Sequence, residues 1–300
     1  MSVKKNINWL IDEFTSIDLV PSIKSSRVKS SETNTEIIED GKKFNFKSSE
    51  TKNDDQGRPS VLKNFNPKGQ LIEEYRYSYN GHIQKIELFE NGKKTCAWTN
   101  EYDSTDRLIL SDYAEIVDDS HDVDNYTYDN DGRLVKILMD SYPEEVEEDE
   151  PATGYELTWN GEKIVQISEI YGEEEEAKIV FEYDEKGQVK SVKKYIYLID
   201  DEDEEVEELF DEQIPKFDAS GRLVENTTIY YSSNSKLMII YAYDGKSEYA
   251  THTTHKEYEN DKLSRSVEFF EDESGHLLKS IEHFHQAKAV KTDVYTYETF

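Results

Sequence analysis

From about Phe44 to the C-terminus, apolar and polar positions alternate with a period of two. Tyr75, Tyr77 and Tyr79 alternate with Arg76 and Ser78, and aromatic pairs at the same spacing recur at Phe44/Phe46, Tyr126/Tyr128, Phe181/Tyr183, Tyr195/Tyr197, Tyr241/Tyr243 and Tyr295/Tyr297. In a strand, residues i and i+2 share a face, so each pair sets two rings side by side. The first 42 residues follow another rule. Ile7, Leu10, Ile11 and Phe14 fall at i, i+3, i+4 and i+7, the spacing of one helical face. Asn6 is placed to cap that helix, and Pro21 with the stretch SIKSSRVKSSETN reads as a linker. The pattern divides the chain into a helical and linker segment, 1–42, and a β-repeat domain, 43–300. On this division the sheet does not need residues 1–40 to fold.

A recurring turn punctuates the strands. It reads FNPKGQL at 65–71, YDNDGRL at 128–134, YDEKGQV at 183–189 and FDASGRL at 217–223. Looser copies are YDSTDRL at 102–108 and FEDESGHL at 270–277, and shortened ones are YNGHI at 79–83, WNGEKI at 159–164 and YDGK at 243–246. A fixed unit recurring along a chain is the mark of a repeat architecture. Asn-Gly and Asp-Gly supply the positive φ of tight hairpins, and the longer form suits a loop of three to five residues with Gly. Gly132, Gly187 and Gly221 are therefore expected in strand-connecting turns. Sequential strands usually pair, so the fold expected is an elongated, twisted antiparallel β-meander built from repeated hairpins, with a short N-terminal helical segment. Some sixteen to twenty strands are expected from the pattern. At about 4.8 Å per strand a single sheet would be roughly 80–95 Å wide, a width that calls for strong twist, coiling or partial closure.

Charge changes the picture more than composition does. The net charge is −31. Residues 1–31 carry five Lys/Arg against three Asp/Glu, so residues 32–300 carry −33. That field repels nucleic-acid phosphates and anionic lipid and favours basic partners. Tyr occurs 21 times, which separates the chain from disordered acidic sequences. The single cysteine, Cys96, allows no internal disulfide and reads as a small buried residue. No apolar run is long enough for a signal peptide or a membrane-spanning helix, and a cytoplasmic location is expected.

The acid is concentrated in DDSHDVD at 118–124, PEEVEEDE at 143–150, GEEEE at 172–176 and DDEDEEVEE at 200–208. The last three lie between turn motifs. In a meander the motifs line one edge and these return loops the other, so acid collects along one rim. The candidate partner-binding residues are Glu144, Glu145, Glu147, Glu148, Asp201, Asp203, Glu204, Glu205, Glu207 and Glu208. Tyr75, Tyr77 and Tyr79 form a second candidate, an aromatic face.

The turns from Tyr128 to Leu134 and from Phe217 to Leu223 resemble the YD repeat of the Rhs family, with its Tyr-Asp-x-x-Gly-Arg-Leu core. The segment FENGKK at 89–94 looks like the Asn-Gly-Lys turn of the MORN-variant repeats. The resemblance covers about 44–300 and implies a β-meander. Rhs proteins build a cocoon from many copies, and this chain has too few to enclose a toxin domain.

Chemistry finds little purchase. No phosphate loop, nucleophile elbow or His-Glu-x-x-His occurs. His283 and His285 alternate on a strand and, with His276, could begin a metal site, but Phe284 between them is the inward residue. His252 and His255 should face opposite sides. Asp201, Asp203 and Glu205 alternate like a calcium loop, yet Val206 stands where an EF-hand needs Gly. The function expected is a non-enzymatic protein, without cofactor or metal, that docks a basic protein on its acidic rim, with toxin immunity as the concrete form. The alternatives are a self-associating structural repeat protein, or a carbohydrate-binding or metal-dependent protein.

Overall fold

The computed structural model describes residues 28–39, 42–142, 153–199, 205–245, 247, 249–272, 276–285 and 289–299. They form one antiparallel sheet of twenty strands. In chain order these are β1 (Val28–Glu39), β2 (Lys42–Asn53), β3 (Pro59–Phe65), β4 (Leu71–Asn80), β5 (His82–Glu90), β6 (Lys93–Tyr102), β7 (Leu108–Glu115), β8 (Ser120–Tyr128), β9 (Leu134–Tyr142) and β10 (Thr153–Asn160). They continue as β11 (Lys163–Tyr171), β12 (Glu174–Tyr183), β13 (Val189–Ile199), β14 (Glu205–Phe217), β15 (Leu223–Tyr230), β16 (Ser235–Ala242), β17 (His252–Glu259), β18 (Lys262–Glu271), β19 (Leu277–Phe284) and β20 (Ala289–Thr299).

Each strand pairs with its sequence neighbours, as the alternation and turns require. The last strand then pairs with the first: Val28 lies opposite Thr299 and Ile38 opposite Val290. The sheet is therefore a closed barrel. This corrects the expected elongated open meander. The reason is the unpaired edge. An open sheet leaves two rows of bare N–H and C=O groups, and only full closure removes both. The linker assigned to 1–42 is also corrected, because Val28–Glu39 is a twelve-residue strand. The helix read at Ile7–Phe14 lies outside the described residues, and no helix occurs within them.

Register assigns the two faces. Following paired residues around the ring, one face carries Tyr126, Ile137, Tyr155, Leu157, Ile167, Ile179, Phe181, Val192, Gln213 and Thr228. Ile164, Ile167 and Val192 have no exposed surface, and Ile137 and Ile179 are 1% exposed. A closed wall can cover only its concave side, so this face looks into the lumen. The side chains from β8 to β13 form a contiguous apolar core there, each buried aliphatic worth about 1.5–3 kcal/mol.

The outward face is charged. Lys43 pairs with Glu36, Lys63 with Glu50 and Glu74, Lys85 and Lys94 with Glu87, Lys193 with Glu182 and Lys216 with Glu225. A lipid-facing barrel needs a continuous apolar band on this surface, and these pairs interrupt one throughout. No described helix is long and apolar enough to cross a membrane.

Candidate functional site

Strand direction separates the ring into two rims of different chemistry. The connections after even-numbered strands lie at one end, those after odd-numbered strands at the other. All the YD-like turns lie at the first rim except Asn66–Gln70, which lies at the second.

At the first rim four turns pair an Asp with their own Arg. In the turn at 129–133, the Asp129 amide donates to the Arg133 carbonyl at 2.9 Å and the Gly132 amide to the Asp129 carbonyl at 3.0 Å. Asp129 Oδ1 accepts from the amides of Asp131 and Arg133, both at 2.9 Å, and Oδ2 from Arg133 Nε at 2.7 Å. Gly132, Gly187 and Gly221 all have φ between 77° and 80°, which confirms their place in the turns. Asp106 occupies the same position in the copy YDSTDRL, at φ 64°. Donated hydrogen bonds, from the Arg133 amide first, hold the Asp129 carboxyl below the usual range, and the Arg222 amide does the same for Asp218. Each Arg then lies over the aromatic ring of a following turn. Arg107 is 4.6 Å from the Tyr128 ring and Arg222 is 4.5 Å from Tyr243. In the shortened turn WNGEKI, which has no Arg, Lys163 supplies the cation over Tyr183 at 4.7 Å.

Where the aromatic that opens a motif is Tyr or Trp, it ties the turns together. Tyr79 OH donates to the Pro59 carbonyl at 2.6 Å, Tyr128 to Leu108 at 2.9 Å, Tyr183 to Ile164 at 2.7 Å and Tyr243 to Leu223 at 2.7 Å. Trp159 Nε1 does the same to Leu134 at 2.8 Å. The acceptor is the first or, at Ile164, the second residue of the strand after an earlier turn. This lateral ladder was missed from sequence, although its signal was present: aromatics spaced about twenty residues after an apolar strand start.

Exposed acid occurs at both rims: Asp55, Glu162, Asp184 and Glu185 at the first, Asp118, Asp119, Glu173 and Glu174 at the second. Both strand ends flanking 143–152 and 200–204 also lie at the second rim. Glu144, Glu145, Glu147, Glu148, Asp201, Asp203 and Glu204 lie outside the described residues, as does the side chain of Glu205. Glu207 differs from its companions, because it is ion-paired to Lys178 on the outer wall. Glu208 is exposed.

Tyr75, Tyr77 and Tyr79 share one face, as read, but that face is the lumen wall. Burial pushes the Tyr77 phenol up and takes Tyr79 up to about 12. The lumen also holds ionic groups that periodicity hid. Arg265 is clamped between Glu257 and Glu282, each at 2.5 Å, beside His255, whose imidazole is pushed down by burial. On β14 and β15, Asp211 Oδ1, Asn226 Oδ1 and Thr228 Oγ are buried without a hydrogen-bond partner.

The histidines do not converge. His283 and His285 stack with centroids 6.3 Å apart, whereas His276 is engaged with Asp272 in its turn at 3.0 Å. His252 stacks on Phe270 and His255 meets Phe269, on opposite faces of the wall. Cys96 is buried and its Sγ accepts from Tyr113 OH at 3.2 Å.

No family model matches the chain, and no curated protein matches it. Among solved structures, a chain of the Photorhabdus luminescens Tc holotoxin pore, in a TccC3 mutant form, is 13% identical with a TM-score of 0.46, covering 82% of this chain and 13% of that one. TcdB2-TccC3 without its hypervariable C-terminal region is 10% identical with a TM-score of 0.29, over 85% and 17%. A porin-like protein from Bacteroides uniformis is 10% identical with a TM-score of 0.36, over 91% and 98%. All three scores fall below 0.5, so these neighbours carry no argument about activity.

Proposed function

We propose that this protein is a non-catalytic binding protein whose acidic rim docks a basic protein, with neutralisation of a cationic toxin as the concrete role. The asymmetry of the rims carries the reading. At one end four turns pair their Asp with their own Arg, as in Asp129–Arg133 at 2.6 Å. The strand ends that flank the acidic segments at 143–150 and 200–204 lie at the other. An uncompensated acidic surface speeds association with a basic partner and imposes salt dependence. Closure weakens the alternative of self-assembly through strand edges, since every described strand has two neighbours.

The test replaces Asp118, Asp119, Glu173 and Glu174 by their amides and measures association with a cationic toxin domain across ionic strength. The expected result is a several-fold slower association at low salt that converges with the parent at high salt, with folding unchanged. An association rate equal to the parent's at every salt would remove the rim from the mechanism.

A further inference from the structure

Where the first and last strands meet, the lumen wall opens into a cleft of about 440 Å³ between β20, β1, β2 and β3. We propose that this seam cleft binds a neutral, polyhydroxylated ligand of mono- or disaccharide size. The cleft reaches the second rim at Asn66 and Pro67, but its ligand chemistry rests on its own lining and not on the rim's acid.

Three observations point to that chemistry. The first is a change of wall. Between β8 and β13 the lumen face is closed by aliphatic and aromatic side chains, but at the seam it presents Thr33, Thr35, Ser49, Asn64 and Asp293 beside the rings of Phe46 and Tyr295. Simple closure would be served by more aliphatics.

The second is charge. Lys291 Nζ lies 3.0 Å from Asp293 Oδ2, so the one lining cation and the one lining anion cancel. A charged ligand gains a partner only by breaking that pair, whereas a neutral ligand leaves it intact.

The third is the set of hydrogen-bonding groups. Asp293 is 8% exposed. Its Oδ1 accepts from Thr35 Oγ1 at 2.5 Å and its Oδ2 from Ser280 Oγ at 3.4 Å. With Lys291 that makes three of the roughly four lone-pair sites of a carboxylate. Asn64 commits its amide nitrogen to Glu73 at 2.8 Å and keeps a carbonyl oxygen. Lys291 retains donors beyond its bond to Asp293. Acceptors and donors are thus interleaved around aromatic faces. A hydroxyl both donates and accepts, and the C–H face of a sugar ring packs on an aromatic ring. The volume lies within the usual range for small-ligand sites, about 300–1,000 Å³.

The site also has a thermodynamic consequence. Thr35 belongs to β1 and Asp293 to β20, so a ligand held between them binds only the closed ring and stabilises it.

The experiment uses the full chain. Saturation-transfer NMR and calorimetry are run with glucose, galactose, N-acetylglucosamine, maltose, lactose and trehalose, with glucuronate and glucosamine as charged controls. At least one neutral sugar is expected to bind, to receive saturation from the aromatic rings and to raise the melting temperature. Phe46→Ala and Asp293→Asn should each weaken it at least tenfold. Saturation transfer from the unmodified protein to the sugar keeps the test decisive if either variant misfolds. Three results would overturn the proposal: no neutral sugar binding at millimolar concentration, tighter binding of a charged control, or binding unaltered in both folded variants.

Discussion

At the scale of single residues, stability rests on polar groups that local burial makes exacting. Tyr183 donates to the Ile164 carbonyl at 2.7 Å, and burial takes its phenol up to about 12. Tyr183→Phe should cost about 0.5–1.5 kcal/mol in denaturant melts, the net worth of such a bond. Tyr79 and Tyr297 are likewise pushed up to about 12 by burial. A phenol raised in the fold favours the protonated state there, so its contribution is complete below about pH 10, the unfolded value. It is lost as pH climbs through 12. Phenolate absorbance and circular dichroism followed together should therefore show the barrel failing in that interval; tyrosines titrating near 10 with the fold intact would contradict it. Thr228 presents the opposite case, a buried hydroxyl without a partner. Thr228→Val should raise stability by about 1 kcal/mol, since it removes an uncompensated polar group while keeping the shape.

At the scale of elements, the weakest join in the ring is between β9 and β10, which pair over only four residues, Thr153–Glu156 against Lys136–Met139. Gly154 makes that join possible. A Cβ there would stand 2.2 Å from the Ile137 carbonyl oxygen, a backbone atom that no rotamer change can move aside. Gly154→Ala should cost at least about 1–3 kcal/mol, and hydrogen exchange should speed first in β9 and β10. Exchange that rises evenly around the ring would show that the join is not locally limiting. The hairpins themselves were legible, because their turns are local. Asp-x-x-Gly-Arg specifies its own hydrogen bonds within five residues, as at 129–133. The ladder from the motif Tyr and Trp side chains to an earlier strand was not, since it joins residues about twenty apart whose proximity depends on register.

At the scale of the whole molecule, closure decides what each end of the chain does. Removing residues 28–39 would strip β1 and expose the edges of β2 and β20. The expected outcome is oligomers or aggregates by size exclusion, in place of the parent's elution. This reverses the expectation that residues 1–40 are dispensable, and a deletion that elutes and melts like the parent would restore it.

The alternation and the repeated turns by themselves determined that this protein is antiparallel β, where its hairpins turn, and that most of the motif turns share one end. Those properties are local or follow from counting strands. Only the tertiary structure decided that the sheet closes, that the tyrosine face is the inside, and that a polar cleft forms at the seam. The physical reason lies in β1. Its inward positions include Thr33 and Thr35, which face a polar lumen and the buried Asp293. A strand whose covered face is hydroxylated shows no hydrophobic alternation. Its partner β20 lies some 258 residues away, at Asp293 from Thr35, beyond the reach of any periodic pattern.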